Sequence, residues 1–165
     1  RSDNIAIDVF FVEKDKGAAK MNDEAVRTIF ENTLKEVLAG EISTETLIGE
    51  RKLKLDRRTP FANQDRLGAD IAPNVDVYRD VSLGRTIVEV RAADRVGLLH
   101  VISKTISRCG FSIKFARIAT EQGIATDVFN IEPDNEKQAF TPAKFLDLRE
   151  QLSSALNKGK YYHEV

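Results

Sequence analysis

A repeated segment constrains the fold of this chain more than any other feature. The residues Ile5–Phe10 recur as Ile124–Phe129 with one difference, and acidic residues follow both copies at the same spacing. A helical pattern comes next in each copy, and the two patterns end at equivalent glycines, Gly40 and Gly159. Self-similarity of this kind predicts two copies of one supersecondary unit.

The second copy reads as the end of a complete unit with the order β-α-β-β-α. Alternating apolar residues predict its first strand at Thr86–Ala93, and Asp94 is a candidate N-cap for the helix that follows. Gly110 is the expected stop of that helix. Its apolar stripe comprises Leu98, Ile102, Ile106 and Cys109.

Two further strands and a helix complete the pattern. A strand is predicted at Phe111–Thr120, and the turn Glu121–Gly123 leads into the strand Ile124–Ile131. Pro142 marks the first turn of the last helix, where a missing N–H has little effect. Three side chains of the middle strand are expected to point inward, namely Phe111, Ile113 and Phe115.

The first unit has only four residues before its repeated segment, so either the chain is cut from a longer protein, which we expect, or the first unit is a true half-domain. A helix is predicted from about Asp23 to Ala39, whereas the segment from Ile42 to Leu55 can be helical or irregular. A linker then leads to a short strand, Asn74–Tyr78, that would finish the first unit. The predicted domains are therefore 1–80, the C-terminal half of a first unit with its linker and final strand, and 81–165, the second unit.

These elements predict an α+β fold of ferredoxin-like βαββαβ units, in which helices cover one face of an antiparallel sheet. The strand Ile5–Val12 is apolar on both faces, which indicates that another domain or chain covers its second face. The incomplete first unit also leaves an open strand edge. We therefore expect a homo-oligomer or a domain-swapped dimer.

Composition excludes several classes of function. The chain has 25 basic and 26 acidic residues, a net charge of −1, so a nucleic-acid partner is not expected. RNA-recognition folds share the strand order but need exposed aromatic side chains, and the central strands offer only Phe129. One Cys excludes an intramolecular disulfide and a cysteine-based zinc site, and with only two His a metal would have to be held by carboxylates. No metal, cofactor or catalytic residue is predicted. No apolar run is long enough for a membrane span, and a cytoplasmic location is expected.

The turn Asp94–Gly97 is the candidate binding site. It leads from a strand into a helix N-terminus, which favours an anion, and Gly97 lets a ligand approach the backbone closely. A carboxylate could therefore meet the helix while Asp94 faces an ammonium group, as a zwitterionic amino acid requires. The alternative is structural, with Asp94 as a cap and Gly97 as a packing residue.

The stretch Glu89–Leu99 resembles the opening of an ACT domain, a small amino-acid-sensing module, and Ala116–Thr120 and Asp127–Phe129 resemble its later strands. Asp80–Ser82 followed by Thr86–Val90 is similar, more narrowly, to the C-terminal tandem ACT region of bifunctional uridylyltransferase/uridylyl-removing enzymes. The chain departs from the family at Val96, where the family usually has Pro.

The resemblance implies a regulatory module that senses an amino acid, with glutamine suspected, and that controls uridylylation of the nitrogen regulator PII by a parent nucleotidyltransferase. Two alternatives stay open: an ACT module that only mediates association, and the regulatory domain of another amino-acid-controlled enzyme. The implied ligand-binding residues are Asp94, Arg95, Val96, Gly97, Leu98, Leu99 and Arg117.

Overall fold

The computed structural model describes residues 23–58, 71–82, 84–134 and 141–158. The chain divides into two compact units, Arg1–Ser43 and Thr44–Val165. The repeated strand segment Ile5–Phe10 lies outside the described residues, as do the chain's last residues. The predicted domains 1–80 and 81–165 stay a prediction, because the first strand expected for the first unit, Ile5–Val12, lies outside the described residues.

In the first unit, the structure describes the helix α1 (Asp23–Leu38) and its C-terminal cap. Gly40 takes a left-handed conformation with φ +76°. The N–H of Gly40 donates to the Val37 carbonyl and the N–H of Glu41 to the Glu36 carbonyl, the two bonds of a Schellman motif. The predicted helix end at Gly40 is therefore confirmed.

The described part of the second unit has three helices and five strands, and the expected α+β class is confirmed. Thr44–Arg58 is helical, which settles the segment that the sequence left open. In chain order the elements are α2 (Thr44–Arg58), β1 (Asn74–Asp80), β2 (Arg85–Ala93), α3 (Leu98–Arg108), β3 (Phe111–Arg117), β4 (Thr120–Glu121), β5 (Ile124–Pro133) and α4 (Pro142–Lys158).

All strand pairs are antiparallel, and the strands lie in the order β1-β2-β5-β3, with the short β4 also paired to β5. The elements β2 to α4 have the ferredoxin-like order β-α-β-β-α if the short β4 is set aside. Strand β1 occupies the edge position that the last strand of such a unit takes. It was expected to finish the first unit, and the structure shows it paired with β2 along its whole length.

Helices α3 and α4 cover one face of this sheet. The buried positions of β2 and β5 alternate along each strand, as the sequence predicted, and the positions between them are exposed, as at Glu89 and Thr126, or half-buried, as at Val128. The largest fully buried apolar side chains are Val88, Val90, Ile102, Ile106, Phe129, Ile131, Leu148, Leu152 and Leu156. Phe129 belongs to this core, so its ring is not available for base stacking.

Strand β3 departs from the predicted alternation. Phe111 is buried and Ile113 packs against the core, but Phe115 is 60% exposed. The register against β5 shifts between Ile113 and Phe115, so Lys114 is the extra residue of a β-bulge. A bulge moves the following side chains to the other face of the sheet. The expectation that Phe115 points inward was therefore wrong.

The predicted turns are confirmed. Gln122 and Gly123, with φ +49° and +77°, form the two-residue link between β4 and β5, and two positive φ values are typical of a type I′ hairpin turn. Gly110 (φ +81°) follows α3, and Pro142 opens α4. None of the helices within the described ranges is long and apolar enough to span a bilayer.

Candidate functional site

The turn between β2 and α3 starts at Asp94, whose N–H donates to the Gly123 carbonyl at 2.8 Å and so ties the turn to the β4–β5 hairpin. Helix α3 begins only at Leu98, its N-cap position is Gly97, and no side chain caps it. The prediction that Asp94 caps this helix was wrong, because a cap must directly precede the first turn. Its exposed carboxylate is therefore not used as a cap.

Arg95 points away from the turn toward the end of α4. Its Nη2 donates to the Leu156 carbonyl at 2.9 Å. Helix C-termini carry unpaired carbonyls and partial negative charge, so a guanidinium is favourable there. Burial lowers the pKa of Arg95 from its ordinary value. This predicted ligand residue thus holds the turn against α4.

Gly97 is needed for two reasons. Its φ of +83° lies in the left-handed region, which favours glycine, and its α-carbon faces the side chain of Ile48 on α2. A Cβ at Gly97 would lie 2.9 Å from Ile48 Cγ2, closer than real Cβ contacts. The close approach that the sequence suggested for a ligand is made in this structure by a residue of the chain itself.

The remaining predicted residues differ in burial and in role. Leu98 is part of the core, Val96 is half-buried, and Leu99 is 46% exposed. Arg117 is exposed and lies opposite Val128 on β5. Within the described ranges, no hydrogen bond or ion pair joins it to the turn. Asp94–Leu99 therefore share one turn and helix start, and the contacts of the described residues do not link Arg117 to them.

A second carboxylate, Asp127, lies close to the turn. Asp127 is 2% exposed, and its Oδ1 accepts the N–H of Ala119, in the link between β3 and β4, at 3.3 Å. Burial raises the pKa of Asp127, and the charge of Asp94 raises it further. Two nearby carboxylates make this corner favourable for a cation such as an ammonium group.

The first turn of α3 supplies the opposite polarity. The Leu98 N–H donates to the Arg95 carbonyl and the Val101 N–H to the Gly97 carbonyl. The backbone bonds of the described residues leave the N–H groups of Leu99 and His100 without an acceptor. An anion of one or two oxygens fits these two donors. The corner therefore offers an acidic side and a donor side, as a zwitterion requires.

Helix α2 also lines this region, a contact that could not be predicted from the sequence. Glu45 of α2 accepts a hydrogen bond from Lys104 of α3, and His100 Nε2 lies 3.4 Å from its Oε1. The bond from Lys104, first among several causes, lowers the pKa of Glu45 to about 2. Only a charged pattern common on exposed helices was visible in the sequence.

No metal centre is present in the part of the chain that the structure describes, where no three His, Cys, Asp or Glu side chains converge. Cys109 is half-buried at the end of α3. Burial raises the pKa of its thiol, which suits a packing residue better than a nucleophile.

The chain resembles bacterial enzymes over nearly its whole length. It is 25% identical over 157 residues to the bifunctional uridylyltransferase/uridylyl-removing enzyme of Rhodospirillum rubrum, covering 95% of this chain and 16% of that protein. The enzyme of the same name from Caulobacter vibrioides is 29% identical over 157 residues, with 94% and 16% covered. That of Bradyrhizobium diazoefficiens is 30% identical over 98 residues, with 59% and 10% covered.

The chain spans about 16% of the length of the first two relatives. It is similar to one segment of a much longer enzyme. No protein-family model matches the chain. No solved structure matches it either.

Proposed function

We propose that this chain is a regulatory ACT-type module of a bifunctional uridylyltransferase/uridylyl-removing enzyme, and that it binds an amino acid, glutamine being the first candidate. The observation that carries the proposal is the similarity over about 95% of the chain to a segment of enzymes of that name. The α+β fold and the turn into α3 agree with it. The activity controlled would be uridylylation of the PII protein, performed by the rest of the parent enzyme.

The proposed ligand lies across the start of α3. Its carboxylate accepts from the N–H groups of Leu99 and His100, and its ammonium group faces Asp94, with the negative field of Asp127 behind. Regulation then follows from differential binding, since a ligand shifts an equilibrium only by its affinity difference between two states.

A thermal-shift screen of the chain against the twenty amino acids tests this proposal. A ligand that binds only the folded state adds about 2.7 kcal/mol of stability at a hundred times its Kd, or roughly 5–10 °C in Tm for a chain of this size. Asp94→Asn removes the charge facing the ammonium group without removing a helix cap, so it should shrink the shift. Asp147→Asn, an exposed change on α4, is the matched control and should leave the shift unchanged.

One observation favours a second function. Arg95 and Gly97, two of the predicted ligand residues, are already engaged by Leu156 and Ile48. In a module that mediates association without a ligand, these two residues would serve only the packing of the turn against α4 and α2. Indifference of Tm to every amino acid would favour this second function and contradict the first.

A further inference from the structure

A groove lies between the edge strand β1 and helix α4, away from the turn Asp94–Gly97. It has a volume of about 300 Å³, which is at the lower end of the range for small-molecule sites. At the rise of an extended strand, Asp94 lies about 16 Å beyond Glu89, which lines this groove. The groove is lined by polar and apolar side chains, among them Asp76, Tyr78, Glu89, Phe145, Leu146 and Arg149.

Arg149, the cationic residue of the groove, is held by a hydrogen bond to β1. Arg149 Nε donates to the Val75 carbonyl of β1 at 3.0 Å. This bond covers part of an open strand edge and fixes the guanidinium plane. Among the residues that the structure describes, no other hydrogen bond or ion pair of Arg149 is present. Its two Nη groups therefore remain able to bind a carboxylate in a bidentate manner.

Two carboxylates also line the groove. Asp76 and Glu89 are directly opposed across the β1–β2 pair and alternate with the buried Val75 and Val90, so they lie on the sheet face away from α3 and α4. Like charges in this arrangement are destabilising, and a bound cation would relieve the repulsion. The Tyr78 hydroxyl donates to Glu89 Oε1 at 2.7 Å, and Asn74 Nδ2 donates to Asp76 at 3.0 Å, so both carboxylates are oriented. This bond to Glu89 is the main reason why the pKa of Tyr78 is raised.

The positive Arg149 and the negative Asp76 and Glu89 line one groove without forming an ion pair. Within the described ranges no ion pair joins Arg149 to Asp76 or Glu89. The half-buried Phe145 and the 57% exposed Leu146 add an apolar wall. We propose that this groove binds a small zwitterion of the α-amino-acid class, whose carboxylate meets Arg149, whose ammonium group meets Asp76 and Glu89, and whose side chain lies on Phe145 and Leu146. This is a second site, which goes beyond the function proposed for the turn.

NMR titration of the full ¹⁵N-labelled chain with each of the twenty standard L-amino acids, at millimolar concentration, tests the groove. At least one should shift the amides of residues 75–78 and 145–149. The N-acetyl and the carboxamide derivatives of that amino acid, which each lack one charge, should bind about tenfold or more weakly.

Two sets of variants separate binding from folding. Arg149→Gln should weaken binding by about tenfold or more, and the pair Asp76→Asn with Glu89→Gln should do the same without touching the bond to Val75. Arg108→Gln is the charge-matched control for Arg149→Gln, and the pair Glu41→Gln with Glu121→Gln, both exposed, is the control for the double variant. Both controls should leave the affinity unchanged.

Unchanged affinity in the groove variants would overturn the groove proposal. So would shifts confined to residues 94–99, a result that leaves the function proposed for the turn intact. Shifts confined to the groove would support the groove and count against the turn as the ligand site. The absence of binding by every amino acid would overturn both proposals.

Discussion

Replacing Gly97 by Ala tests how the turn before α3 is packed. The residue sits at φ +83°, and an added Cβ would lie 2.9 Å from Ile48 Cγ2. Two separate penalties therefore apply to the same methyl group. One is the left-handed backbone, which costs a residue with a Cβ about 1–2 kcal/mol. The other is the overpacking against Ile48, which costs about 1–3 kcal/mol.

We expect Gly97→Ala to lower the free energy of unfolding by about 2–5 kcal/mol, measured by urea unfolding. Gly84→Ala is the matched control, because Gly84 has φ +62° and nothing lies within 4 Å of the position of its Cβ. It should lose only the backbone part, about 1–2 kcal/mol.

A double-mutant cycle isolates the contact. In an Ile48→Ala background the Cγ2 atom is gone, so Gly97→Ala should cost no more than Gly84→Ala does. Equal losses from Gly97→Ala in the presence and absence of the Ile48 side chain would refute the packing of α2 on this turn.

Three further changes test other parts of the structure by the free energy of unfolding. Phe129→Ala should lower the free energy of unfolding by about 3–5 kcal/mol because the ring is 1% exposed. Phe115→Ala should lower it by no more than about 0.5 kcal/mol because that ring is 60% exposed. Comparable losses of stability in the two variants would contradict the bulge in β3. Arg95→Gln should cost about 1–3 kcal/mol and speed amide exchange at the end of α4 through loss of the bond to Leu156, and unchanged exchange would argue against that bond. The pKa of Asp127 is raised in the native state, so the native protein binds a proton at this carboxyl more tightly than the unfolded chain does. The free energy of unfolding should therefore fall as the pH rises from the ordinary pKa of an aspartate to the raised pKa of Asp127. Asp127→Asn should abolish that fall and be the more stable form at neutral pH, and an identical pH profile for both proteins would count against the burial of this carboxyl.

Much of the fold of the second unit was predictable from the sequence because its signals are local. Alternation placed β2 and β5, the apolar stripe placed α3, and Gly110 and Pro142 marked helix ends. In each case the residue type and its spacing act within a few residues of the chain. The α+β class followed from the order of these elements.

Two local predictions failed where a neighbouring element decides the geometry. Asp94 looks like a cap, but its N–H is bonded to the β4–β5 turn and the helix starts later, at Leu98. The alternation of Phe111, Ile113 and Phe115 along the strand predicts that Phe115 points inward. The bulge at Lys114, which reverses this orientation, depends on the pairing with β5. Neither the turn contact nor the strand register is encoded in local spacing.

The candidate site was predictable only as a segment of chain. The sequence located the turn Asp94–Gly97, whereas the contacts of its side chains depend on distant partners. Arg95 reaches Leu156, and Gly97 meets Ile48 of a helix whose charged sequence gave little indication of its packing. The β1–α4 groove depends on long-range pairing in the same way, since Asp76 and Glu89 meet only through strand register.

Calorimetric titration of the full chain with L-glutamine tests amino-acid binding without relying on a change in stability. We expect saturable heat, with an affinity that is lower for Asp94→Asn and unchanged for Asp147→Asn. A flat titration with L-glutamine, and with each of the other amino acids in turn, would contradict the proposal that this chain senses an amino acid.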